Sequence, residues 1–201
     1  MPRLNRQESQ TRTRELLLDS ARSALASRGY GGASVDVIAE AAGFSKGAFY
    51  SNFDSKEAIF LELLRQHMAG ERAELTHILD ESTSSAGLDR WLDSLNPDAD
   101  WAVVAVELQL HARRSDAFAN EYQALHEAHR AALGMLLERL FASAGRLAPA
   151  PPADLAGALM ALASGLALQQ RPATERLESD PSGPLIGLIV QGLIAAARPA
   201  S

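Results

Sequence analysis

Gly43 stands between two short apolar-periodic segments, and that placement constrains this chain more than any other feature of its sequence. Ser34 is predicted to cap a helix over Val35–Ala42, with Asp36 in its first turn favouring the positive end of the dipole. Ile38 and Ala39 then face inward, and Ala39 is small where two helix backbones must approach closely. Gly43 supplies the positive φ that a tight turn requires. A second short helix is predicted from Ser45 or Lys46 to Asn52, with Ile38, Phe44 and Phe49 as the hydrophobic wedge and Phe53 beside them. Two short helices joined by a tight glycine turn form a helix-turn-helix. Such a small domain buries little surface, so a few large rings supply much of its stability.

The remaining segments read as helices. Leu17, Leu18, Ala21, Ala24 and Leu25 repeat at helical spacing and predict a helix over Thr11–Arg28, capped at Gly29, with "GYGGAS" as the loop. Met1–Gln10 is polar and reads as a mobile arm. Asp54 or Ser55 can cap a long amphipathic helix from Lys56, with Ile59, Leu63 and Leu64 on one face. "STSSAG" separates it from a helix at Leu88–Leu95, and "NPDAD" precedes one at Trp101–Arg114. Further helices follow at Ala117–Ala144 (closed by Gly145), Leu155–Gln169 and Leu185–Ala197, with the breaks "LAPAPPAD" and "RPATERLESDPSGP" between them. Aromatics make up only 5% of the residues while Ala and Leu abound, and no run of alternating β-branched residues is present. The expected fold is all-α: an N-terminal three-helix domain with its arm in residues 1–56, and a C-terminal helical domain in residues 57–201.

Several chemistries are excluded. There are no cysteines, hence no disulfide, thiolate metal site or cysteine nucleophile. The polar N-terminus lacks the apolar core of a signal peptide, and the apolar run Pro184–Ala197 is too short to span a bilayer. No membrane association and a cytoplasmic location are expected. G-x-S-x-G, Walker A and Rossmann patterns are absent. A helical-bundle metal enzyme is the rival class, but only Glu74–His77 has the Glu-x-x-His spacing, with no second copy. His126 and His129 are three apart and could face one ion, but a lone pair of histidines on a charged helix is usually solvated. No cofactor, no metal and no catalytic residue are expected.

Net charge is −6, but Met1–Lys56 holds eight Lys/Arg against six Asp/Glu, leaving 11 against 19 in the rest. That asymmetry fits an anion-binding head on an acidic body, and fits chance about as well. The second short helix makes the case more specific. Tyr50 lies about 100° around the helix from Phe49 and should face outward, where its hydroxyl can reach a phosphate. Lys46 near the helix start can reach a base edge or phosphate, and Lys56 opens a helix whose free amides favour an anion. Ser45, Gly47, Ser51 and Asn52 are short enough for the backbone to close on a groove, and Ser34 counts with them.

The stretch "GYGGASVDVIAEAAGFSKGAFYSNFDSKEAIF" resembles the DNA-binding segment of the TetR/AcrR family of bacterial transcriptional regulators. The glycine turn, "SKGAFYSNF" and "SKEAIF" carry the resemblance, over about Thr11–Leu64. The family pattern often has histidine or a second tyrosine where Ser51 stands. What the resemblance implies is a homodimeric repressor. Each copy's second short helix enters one major groove of a palindromic double-stranded DNA operator, and a C-terminal domain binds a small-molecule effector and dimerises through its last two helices. Leu159, Leu162, Leu166, Leu185, Leu188, Ile189 and Leu193 would supply that interface, although an intrachain core fits them equally well. Met68, Trp91, Trp101, Tyr122 and Met160 are the large or adaptable side chains available to line a cavity, with His67, Gln109 and His111 as polar additions. A small, largely apolar effector is expected. A ligand-independent DNA-binding protein is the other alternative.

Overall fold

A computed structural model describes residues 6–81, 99–169 and 182–200 of the chain. Among the described residues there are eight helices: α1 (Arg6–Gly32), α2 (Val35–Ala41), α3 (Lys46–Tyr50), α4 (Lys56–Glu81), α5 (Ala99–Ala112), α6 (Asp116–Ser143), α7 (Pro152–Gln169) and α8 (Ser182–Ala196). The helix expected at Leu88–Leu95 lies outside the described residues. So do "STSSAG", most of "RPATERLESDPSGP" and Trp91.

The described residues divide into two compact units, one drawn from Met1–Gln66 and Val104–Tyr122, the other from His67–Val103 and Gln123–Ser201. The division expected after residue 56 falls at the start of α4, and the first compact unit extends beyond it to Gln66 and takes in Val104–Tyr122. Pattern within one helix cannot announce such a return of the chain.

In the first unit, α1 buries Leu17, Leu18, Ala21, Ala24 and Leu25. It starts at Arg6 rather than Thr11, since polarity marks a segment as exposed without preventing it from being helical. Some of its hydroxyls back-bond to the preceding turn: Thr13 Oγ1 donates to Ser9 O (2.9 Å) and Ser27 Oγ to Ser23 O (2.7 Å). At Gly29 the path kinks (φ 66°, ψ 176°), and one more helical turn runs through part of the expected loop to Gly32.

α2 ends in a Schellman cap. Gly43 N donates to Glu40 O (3.0 Å) and Phe44 N to Ala39 O (2.8 Å), with Gly43 at φ 78°. The same motif closes α6, where Gly145 N donates to Ala142 O and Arg146 N to Phe141 O, both at 2.9 Å. Phe49, Ile38, Ile59 and Phe60 are wholly buried, and Phe53 almost so. The Arg14 guanidinium stacks over the Phe53 ring (4.1 Å to its centroid) and donates to Asn52 O (2.6 Å), tying α1 to the end of α3.

The second unit has its own core of Leu75, Leu136, Leu137, Leu140, Phe141, Ala156, Val190, Ile194 and Ala197. α6 and the start of α7 approach so closely that a Cβ at Gly134 would lie 2.8 Å from Ala153 N. Arg130 bridges the same two helices, pairing with Glu127 at 2.7 Å and Asp154 at 3.0 Å. The C-terminal tail is pinned to the end of α6 by Leu147 N to Arg198 O and Ala200 N to Gly145 O, both 2.9 Å.

Candidate nucleic-acid interface

The candidate surface begins with two serine caps. Ser34 Oγ accepts from Val37 N (3.3 Å) and Ser45 Oγ from Ala48 N (3.2 Å), so each short helix starts where its sequence sets it. At the far end of α3, Ser51 Oγ donates to Gly47 O (2.9 Å) and Asn52 Nδ2 to Ala48 O (2.8 Å). Ser34, Ser45, Ser51 and Asn52 are therefore engaged with local backbone, and shape the surface more than they project from it.

Lys46, Gly47 and Tyr50 are what α3 presents outward. Tyr50 is 51% exposed and meets Phe49 edge-on, with ring centroids 5.4 Å apart and planes at 83°. A Cβ at Gly47 would touch nothing nearer than Ser45 Oγ at 3.7 Å. The chain itself does not need that glycine, so the space it keeps open lies outside the molecule. Lys46 Nζ sits 2.9 Å from Asp36 Oδ2, a pair exposed on both sides. Its hydrogen bond and charge raise the lysine pKa. Exposed pairs of this kind contribute little, and a phosphate can replace the carboxylate.

Lys56 is placed differently. Its ammonium donates to Tyr30 O (2.7 Å) and lies 3.9 Å from the centroid of the Tyr30 ring, and burial lowers its pKa. Around Tyr30 the first unit gathers groups that periodicity does not reveal. Tyr30 Oη donates to Glu57 Oε1 (2.7 Å), and Glu107 Oε2 accepts from Tyr30 N (2.8 Å). The His111 imidazole stacks on the phenol ring, centroids 3.7 Å apart and planes at 18°. Burial, and then the Glu57 hydrogen bond and charge, push the tyrosine pKa far up. Burial alone would raise Glu57, but the bond from Tyr30 leads a set of hydrogen bonds and charges that hold it below the ordinary carboxylate range. His111 was expected among the polar groups of an effector cavity; its contact is with Tyr30, in the first unit.

The other expected residues divide between the units. Met68 (7% exposed) and Trp101 (9%) are buried in the second, where Trp101 stacks on His67 at 4.0 Å. Tyr122 is buried in the first, and burial raises its pKa. Met160 is half-buried on α7, and Trp91 lies outside the described residues. Also in the second unit, His129 is not solvated as expected but buried, and pairs through Nε2 with Glu71 Oε2 at 3.1 Å. Burial would raise Glu71, but the His129 hydrogen bond and charge, with His67, hold it below the ordinary range.

Ser182 and Gln191 are the only polar side chains of α8. Ile186, Val190 and Ile194 face the core, whereas Leu185 (43%), Leu188 (64%) and Ile189 (41%) are exposed. Leu159 and Leu193 pack partly against the core, and Leu162 and Leu166 are half-buried on α7.

The profile of bacterial regulatory proteins of the tetR family matches residues 17–63, from mid-α1 into α4. The HTH-type transcriptional repressor AcnR of Corynebacterium diphtheriae is 30% identical over 160 residues, covering 77% of this chain and 78% of that repressor. This chain belongs to the TetR family. AcnR of Corynebacterium glutamicum is 32% identical over 111 residues, but that match spans only about half of each protein, 54% of this chain and 55% of the repressor. The fatty acid degradation regulator FadR of Bacillus halodurans superposes with a TM-score of 0.72 at 19% identity, over 93% of this chain and 97% of that one. This chain has the TetR-family fold, an N-terminal helix-turn-helix followed by a helical domain. Among the described residues, no helix is long and apolar enough to cross a membrane.

Proposed function

We propose that this chain is a DNA-binding transcriptional repressor that acts as a homodimer on a palindromic operator and is released by a small, largely apolar effector. The observation that carries the reading is α3. It is a serine-capped helix behind a Schellman turn, its apolar face locked by Phe49 and its outer face reduced to Lys46, Gly47 and Tyr50. Lys46 and Tyr50 supply a cation and a hydroxyl for phosphate or base edge, and Gly47 lets the backbone approach the groove. Repression is supported by the C. diphtheriae relative, which this chain covers over most of its length. The exposed Leu185, Leu188 and Ile189 support a second copy as the partner of α8. Met68 and Trp101 are apolar side chains that an effector in the second unit would meet. A metal-dependent enzyme draws no support: among the described residues, no three His, Asp or Glu side chains are placed to hold an ion.

Selection of bound duplexes from a random pool tests the reading. An inverted repeat with half-sites about 34 Å apart is expected, and recovery of no motif would overturn it. A compound that raises the melting temperature should then loosen the operator complex.

A further inference from the structure

Tyr30 is held on every side. His111 stacks at 3.7 Å and the Lys56 ammonium lies 3.9 Å from the same ring centroid, too close for both to share a face, so the phenol is sandwiched between them. Glu57 holds its hydroxyl and Glu107 its amide. Glu107 also fills the space at Gly29, where a Cβ would lie 3.2 Å from its carboxylate, so it fixes the kink that ends α1. Lys56 in turn opens α4, a few residues past α3. Tyr30 is thus the joint at which the end of α1, the start of α4 and α5 meet within one compact unit.

We propose that Glu107 and His111 are positioning residues for DNA binding: together they seat Tyr30, and a proton on His111 unseats it and weakens the hold on DNA. This rests on the DNA-binding reading above. His111 Nε2 is buried without a hydrogen-bond partner, 3.6 Å from Glu57 Oε1, which is just too long for a bond. Glu57 Oε1 already accepts from Tyr30 Oη. An imidazolium would draw that oxygen towards itself and compete with the phenol for it. It would also set a second cation against a ring whose other face carries Lys56. The charged groups acting on His111 are Glu57 and Lys56 from α4 and Arg114 beyond its own helix; α1 brings the Tyr30 ring and α6 the Phe118 ring at 4.9 Å. Burial disfavours the cation most, Lys56 and Arg114 add to that, and Glu57 opposes. The seated joint therefore requires neutral His111, and protonation begins below the ordinary histidine range.

The test titrates the full chain with its selected operator between about pH 5.5 and 8, the interval in which histidine changes charge. DNA binding ordinarily tightens on acidification as histidines gain charge. Here affinity should fall instead, by up to about tenfold per pH unit for each linked His111, hence about a hundredfold for a dimer on both half-sites. His111→Phe keeps a ring on Tyr30 and cannot titrate, so its affinity should no longer fall on acidification, whatever its value at pH 8. Glu107→Ala should weaken binding several-fold although it lies far outside α3 in sequence, and Glu107→Gln, which keeps an acceptor for Tyr30 N, should restore most of it. A wild-type pH profile in His111→Phe would overturn the proposal. Should that variant fail to fold, NMR of the DNA-free wild type decides: His111 and the Tyr30 ring signals must shift with one midpoint, and separate midpoints overturn the proposal. Selection that recovers no duplex at pH 7.5 overturns the DNA reading and the affinity claim with it, while the NMR measurement still settles whether Tyr30 follows His111.

Discussion

Gly43 and Gly134 are glycines for opposite physical reasons, and substitution separates them. At Gly43 the backbone is left-handed (φ 78°) and a Cβ would meet nothing within 4 Å. Gly43→Ala should therefore cost only the conformational strain, about 1–2 kcal/mol, read as a lower denaturation midpoint with an unchanged slope. At Gly134 the conformation is ordinary, but a Cβ would lie 2.8–2.9 Å from the backbone of Pro152 and Ala153, which cannot swing aside. Gly134→Ala forces α6 and α7 apart and should cost about 1–3 kcal/mol through overpacking. Glu71 gives a residue-scale prediction in pH. Its pKa is held down in the folded chain, so the unfolded chain binds more protons in acid. Its contribution is whole above about 4.5, the ordinary value, and is lost as pH falls below that. Glu71→Gln should flatten the acid limb of a urea-denaturation series; an unchanged limb would show that the His129 pair contributes nothing to acid stability.

At the scale of elements, what the sequence made legible is what short-range chemistry decides. Ser34, Gly43 and Ser45 mark the ends of α2 and α3 because a cap or a positive φ has a residue signature, and the observed ends agree to within about two residues. The start of α1 was misplaced because a polar segment such as "QESQ" is helical or not according to the turns that follow it, and composition does not report that. Glu57, Glu107 and His111 meet Tyr30 from 27 to 81 residues away along the chain, a distance at which periodicity says nothing. Tyrosine among the glycines of "GYGGAS" was the one visible hint, a large side chain in a loop with no apolar pattern to absorb it. The two lysines expected at the DNA surface now separate by element. Lys46→Ala on α3 should lower the salt slope of operator binding by about one unit per protomer, about two for the dimer, and leave melting unchanged. Lys56→Ala at the head of α4 removes an intrachain hydrogen bond and the cation on the Tyr30 ring, so it should lower the melting temperature as well as affinity. Equal melting temperatures for the two variants would show that the Tyr30 contacts of Lys56 do not stabilise the fold.

For the whole molecule, the question is whether two copies meet through α8. An isologous interface needs a self-complementary apolar patch, and Leu185, Leu188 and Ile189 form an exposed apolar stripe opposite the buried Ile186, Val190 and Ile194. The two faces predict different outcomes for the same kind of change. Val190→Glu buries an unpaired carboxylate in the core and should unfold the second unit. Leu188 is 64% exposed in the single chain, so Leu188→Glu should leave the protomer helical while setting two like charges against each other across the symmetry axis. Light scattering should then report half the wild-type mass at matched helical content. DNA binding supplies an independent reading of the same change. The logarithmic slope of affinity against salt is about −0.9 for each phosphate neutralised. A dimer on two half-sites neutralises twice the phosphates of a lone protomer, so Leu188→Glu should halve the slope as well as weaken binding. A halved mass with an undiminished slope would mean that the operator reassembles the pair through other surfaces. A full mass in Leu188→Glu would remove α8 from the interface altogether.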